Sequence, residues 1–223
     1  MSSIRSIAFA IAALFVCMPS CFAADGSQLK PPKGASVAIH VFEDMECPHC
    51  AHAYPLVWEA ADSHHIPVVL HDFPLPQHTW AAQAALWGRY FDTKSAKLGN
   101  DFRGYVYTNQ DKIDAANPLQ NWVDTFCKDH KLTAPKQPDP NGKLKALIDA
   151  DVELGKKIGL HHTPTILVVS INPDKPYTEV DDHSKIGQAI EDMQNALPKP
   201  TPTPAKSKRK VVHKAAATPT PAS

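Results

Sequence analysis

No second Cys-x-x-Cys accompanies Cys47-Pro48-His49-Cys50 in this 223-residue chain, and of its five cysteines Cys127 has no cysteine neighbour. A structural zinc site takes four ligands, commonly as two close pairs, so the missing second pair argues against zinc. Long hydrophobic runs are missing too. The apolar stretch from Ile7 to Met18 falls short of the about 20 residues that a membrane span requires. Net charge is absent, with 23 basic and 23 acidic side chains, but the balance conceals an asymmetry. Pro198 to Ser223 holds six Lys and Arg and no acid, and with Arg5 counted this leaves −7 on Ala24 to Leu197. Beyond that basic tail, nothing points to nucleic-acid recognition.

What is present begins with Arg5, the apolar run after it, and the small-x-small sequence Cys21-Phe22-Ala23. This is the pattern of an export signal cleaved after Ala23, with a lipoprotein anchor at Cys21 as the alternative. Cleavage leaves Cys47, Cys50 and Cys127, in a periplasmic or secreted setting where disulfides persist. The expected organisation is a signal peptide over 1–23, a lead segment over 24–35, one domain over 36–197 and a tail over 198–223. Thr201-Pro202-Thr203-Pro204-Ala205 recurs in that tail as Thr218-Pro219-Thr220-Pro221-Ala222, a composition that buries no core and predicts disorder. The tail reads as a solvated linker, or as an electrostatic contact with anionic envelope surfaces.

Cys47 and Cys50 fall where the apolar run Val37 to Phe42 gives way to a helical pattern. Two cysteines at a helix entrance alternate between dithiol and disulfide without refolding the chain. At or near the N-cap, Cys47 as thiolate meets unpaired N–H groups and the positive end of the helix dipole. Pro48 suits the first helical position. His49, when protonated, adds a cation that favours the thiolate. Cys50, one turn on and more buried, is placed to resolve a mixed disulfide on Cys47. A stable thiolate makes the disulfide a stronger oxidant. A purely structural disulfide is disfavoured, because so short a loop adds little chain-entropy stabilisation.

Periodicity supplies the surroundings. A central strand is expected over about 36–42, a helix from Cys47 to about His64 with Pro55 kinking it, and a parallel strand over Ile66 to Leu70. Trp80, Ala84, Trp87 and Phe91 form one helical stripe, and Leu119, Trp122, Val123, Phe126 and Cys127 another. Leu144, Leu147, Ile148 and Ile158 mark a third helix. Thr165 to Ile171 and Tyr177 to Val180 read as a hairpin, closed by a helix over Ile186 to Leu197. The order βαβ, helices, ββα is an α/β sandwich interrupted by a helical insertion over about 77–140. The aromatic stripes are core, and Cys127 on one of them is a buried thiol, with a third redox thiol as the alternative.

From Phe42 to Cys50, and again at His162-Thr163-Pro164-Thr165 and Phe73-Pro74-Leu75-Pro76, the chain resembles the DsbA-like thiol:disulfide oxidoreductases of the thioredoxin superfamily. The resemblance spans about Val37 to Leu197. It implies a thioredoxin-like fold with an inserted helical subdomain, Cys47 as the exposed nucleophile and Cys50 as the resolving thiol. Pro48 and His49 would set the potential. Thr163 and Pro164 would face the disulfide and bind substrate beside Cys47, through a cis bond that presents a backbone edge. It implies no cofactor beyond the Cys47–Cys50 disulfide and no metal. The partners it implies are reduced exported proteins and a DsbB-like or vitamin K epoxide reductase-like membrane reoxidase.

Two departures stand out. The acid that the family often buries six residues before the first cysteine is Val41 here, so proton transfer would fall to water or to Glu43, Asp44 or Glu46, which read by default as solvated acids. Glu46, next to Cys47, should oppose thiolate formation. Other readings are a reductase or isomerase on the same fold, and a periplasmic copper-binding module using His49, His52, Cys47, Cys50 and Met45. His161 and His162 read as loop residues near the active site.

Overall fold

The computed structural model describes residues 24–198; the expected signal peptide, the Cys21 anchor alternative and nearly all of the basic tail lie outside them. A four-stranded sheet runs in the order β2-β1-β3-β4. Strand β1 (Val37–Glu43) is buried along its whole length, as its apolar run requires. It pairs parallel with β2 (Val68–Asp72) and antiparallel with β3 (Thr165–Ser170), which pairs antiparallel with β4 (Tyr177–Glu179). The crossover from β1 to β2 is helix α1 (Pro48–His64), which continues through Pro55 and ends at His65 in the left-handed region.

Side chains of β1 alternate between two cores. Val37, Ile39 and Val41 pack with Ala53, Val57 and Ala61 of α1 and with Ile186, Ile190 and Met193 of α6 (Ile186–Asn195). Ala38 and Phe42 pack on the other face with Phe73, Ile158 and Leu160, beneath helix α5 (Lys143–Lys157). Each large apolar side chain so buried contributes about 1.5–3 kcal/mol.

Between β2 and α5 lie α2 (Ala81–Asp92), α3 (Ala96–Asn109) and α4 (Leu119–Asp129). Phe91, Phe102 and Phe126 meet at their centre, with ring centroids 4.7–5.2 Å apart. The two expected aromatic stripes therefore face one another, but α3 between them had no stripe assigned to it. Cys127 is buried in this core, where burial pushes its thiol up. Met45, Cys47 and Cys50 belong to the same apolar cluster. The helical insertion and the cysteine loop are one packing unit. No helix among the described residues is long and apolar enough to cross a membrane.

Candidate active site

Cys47 is the N-cap of α1 and Pro48 its first residue, the position where a missing N–H costs nothing. The Cys47 thiol donates to Thr163 O at 3.3 Å. Thr163 and Pro164 are joined by a cis peptide bond, and both are buried. The structure thus brings Cys47, Cys50, Thr163 and Pro164 together across 116 residues of sequence. The Cys47 thiol is pushed down to about 5, first by a hydrogen bond from the Cys50 thiol, then by Thr163 and the backbone N–H groups of Cys50 and His49; burial opposes the fall. Cys50 moves the other way: burial, its hydrogen bond to Cys47 and the Cys47 charge push it well above the ordinary thiol range.

His49 contributes through its backbone rather than as a neighbouring cation. Its exposed side chain lines an open pocket of about 300 Å³ with His162, Thr163, Pro164, Glu179, Asp181 and His183. His161 is exposed in the same loop. Met45 is turned into the helical core, where its methyl group meets Gly88. Among the described residues no group of three or more His, Cys, Asp or Glu is arranged to hold a metal ion.

The three acids before Cys47 correct the expectation that they are solvated. Asp44 is 2% exposed, and its carboxylate accepts from Glu46 N, Leu75 N and His78 Nδ1, each at 2.7 Å. Glu46 accepts from Trp80 N at 2.6 Å and Ala81 N at 2.9 Å, so it caps α2, whose own N-cap residue, Trp80, makes no side-chain cap bond. Its charge is spent on a helix end, not set against Cys47. Gln110 completes the clamp, donating to Met45 O at 2.8 Å and Cys47 O at 3.1 Å. Sequence reasoning missed Gln110, which lies 63 residues from the cysteine it anchors.

Glu43, one of the acids open to proton transfer but read by default as solvated, is the larger correction. It is 3% exposed and borders, with Cys50, Tyr54, Trp58 and Pro164, a cavity of about 10 Å³, about the volume that admits one water. Tyr107 Oη donates to it at 3.0 Å and Arg103 Nε lies 3.0 Å away. Burial pushes the Glu43 carboxyl up to about 7 against the pull of Arg103, and its charge helps raise Cys50. The signal for it was strand alternation: Glu43 shares a face with Val37, Ile39 and Val41, the face that α1 covers.

Arg103, 1% exposed, also holds Asp92 through two 2.9 Å bonds and lies 3.9 Å from Asp72. Asp72 pairs with Arg89, Arg89 with Asp151, and Asp151 with His71 Nδ1 at 2.8 Å. His71 meets His40 at 2.9 Å. The ionic chain runs from the cysteines to the far face of the sheet.

A family profile described as Thioredoxin matches residues 32–203. Among solved structures, the thiol-disulfide exchange protein alpha-DsbA2 of Wolbachia pipientis is similar with a TM-score of 0.59 and 14% identity, over 74% of this chain and 85% of that one. DsbA2 of Pseudomonas aeruginosa is similar at 0.54 and 19% identity, over 74% and 92%. The catalytic domain of Proteus mirabilis ScsC is similar at 0.57 and 15%, over 74% and 87%. No curated protein matches the sequence.

Proposed function

From the premise that this chain belongs to the thioredoxin family and has a DsbA-like fold, we propose that it is exported and introduces disulfides into exported proteins at Cys47–Cys50. A substrate thiolate attacks Cys47 Sγ of the disulfide, forming a mixed disulfide and expelling Cys50. The leaving Cys50 sulfur, whose environment raises its basicity, takes up a proton, and Glu43 is the buried acid beside it. A second substrate thiolate then attacks the substrate sulfur of the mixed disulfide. Cys47 leaves as thiolate, the substrate departs oxidised, and two electrons remain on the dithiol. A membrane reoxidase of the DsbB-like or vitamin K epoxide reductase-like kind would restore the disulfide. The backbone at Thr163-Pro164 would hold the extended substrate chain.

The observation that carries this reading is the placement of Cys47 at the N-cap of α1 against Thr163 O and the cis Thr163-Pro164 bond, an arrangement in which Cys47 is pushed down to about 5 and Cys50 well up. Thioredoxin, with a nucleophile near 7, sits at about −270 mV, and tenfold in the equilibrium constant is about 30 mV. A nucleophilic thiol held below thioredoxin's should therefore make the couple more oxidising than thioredoxin's. Equilibration with glutathione, alongside refolding of a reduced substrate protein, tests it. A potential near −270 mV with no oxidase activity would sink the oxidant reading and favour a reductase.

A further inference from the structure

We propose that cleavage after Ala23 creates a ligand for the folded domain: the new α-ammonium of Ala24, bound by the carboxylate of Glu179 on β4. Ala24 N donates to Glu179 Oε2 at 3.0 Å, and Ala24 is itself buried against the α5-side core. The segment that follows is seated along its length. Asp25 N donates to Ile158 O at 2.7 Å, and Asp25 Oδ1 accepts from Ser27 N to open a single 3-10 turn. Gly26 lies under the ring of Tyr177, where a Cβ would stand 2.8 Å from two ring carbons. Leu29 is buried, and Lys30 O meets His40 Nε2 at 3.1 Å. The segment that follows Ala24 is therefore anchored to the domain at Asp25, Gly26, Leu29 and Lys30.

In the uncleaved chain that nitrogen is a peptide N–H, a neutral donor to a carboxylate. Hydrolysis of the Ala23–Ala24 bond consumes one water, leaves a carboxylate on Ala23 and puts a protonated amine at Ala24. The hydrogen bond, already assisted by the carboxylate's charge, then gains a full positive charge on its donor and becomes an ion pair. The pair braces a three-residue edge strand held in the sheet by β3 alone. Glu179 also lines the pocket beside Thr163 and Pro164. Processing would thus finish one wall of the substrate-facing pocket, which couples removal of the leader to a sound site.

This rests on the export reading, and the test separates the two. The mass of the protein secreted from the full-length chain gives its N-terminus. Independently, the chain beginning at Ala24 is compared with its Nα-acetylated form, which restores the neutral amide, each with and without Glu179→Gln. Acetylation is expected to lower the folding equilibrium constant about tenfold, or 1.4 kcal/mol, and to speed hydrogen exchange at Val180 N–H, which bonds to Ile166 O. In the Glu179→Gln background acetylation should change neither by more than about twofold. Equal effects of acetylation in both backgrounds would overturn the pairing and leave the cleavage site standing. A secreted N-terminus at any residue other than Ala24 would overturn the proposal and the cleavage reading together, with thiol exchange judged separately by its potential.

Discussion

Replacing Glu43 by Gln should make the protein more stable at pH 8 and a poorer catalyst. The carboxyl is fully buried and its ionisation is pushed from an ordinary 4.5 to about 7. The folded chain thus keeps a proton that the unfolded chain releases near 4.5. Between those two values the wild type loses stability as pH rises, at up to about 1.4 kcal/mol per pH unit. The rise to about 7 amounts to about 3 kcal/mol. Gln is close in shape and keeps a partner for Tyr107 Oη, and Arg103 retains its two bonds to Asp92. Urea unfolding of the reduced protein from pH 4 to 8.5 should show wild type and Glu43→Gln nearly equal at pH 4. Their difference should grow to about 3 kcal/mol in favour of the variant above pH 7. The same variant should slow the steps in which Cys50 gains or loses its proton about 100-fold, the low end for a positioned acid or base. A stability difference that stays flat across pH would refute the burial argument for Glu43. An unchanged rate would remove it from the proton path.

Rapid alkylation of the reduced protein should be half-maximal near pH 5, the value for Cys47; a midpoint near the ordinary thiol value of about 8.5 would contradict the hydrogen-bond account. Arg103→Ala should cost about 3–5 kcal/mol in urea unfolding, since it strands the buried carboxyl of Glu43 and removes both bonds to Asp92. By contrast, Lys97→Ala, which breaks the exposed pair with Asp101, should cost no more than about 0.5 kcal/mol. Gln110→Ala loses two bonds to the cysteine loop and should cost about 1–3 kcal/mol, with faster hydrogen exchange at Cys47 N–H, which bonds to Asp44 O.

The sheet and α1 were legible because their signals are local: an apolar run, then a helix opened by Cys47-Pro48. The parallel β1–β2 pair, the hairpin and the closing helix follow from the same kind of pattern. Helix α3 was not legible. Its residues include Gly99, Gly104, Arg103, Asn100 and Asp101, and its value lies in the burial of Arg103 among acids from β1, β2 and α2. Gly99 is there for the same reason, since a Cβ would stand 1.8 Å from Asp92 Oδ1. The insertion ends before α5, which begins at Lys143 and covers the sheet. Cys47 and Cys50 could be singled out from spacing alone. The burial of Asp44 could not, because Leu75 and His78, which cover it, come after β2; alternation along β1 marked the face of Glu43, but its partners Arg103 and Tyr107 come from α3.

That arrangement limits what can be transplanted. Asp44 is tied to Leu75 and His78, Glu46 to Trp80 and Ala81, and Cys47 O to Gln110. A Cys-Pro-His-Cys tetrad grafted into a scaffold without this insertion would bring its thiols but leave behind the anchors that fix the loop before them. For an engineer, the smallest portable unit of the cysteine loop runs from β1 through Gln110, and the Thr163-Pro164 turn has to come with it.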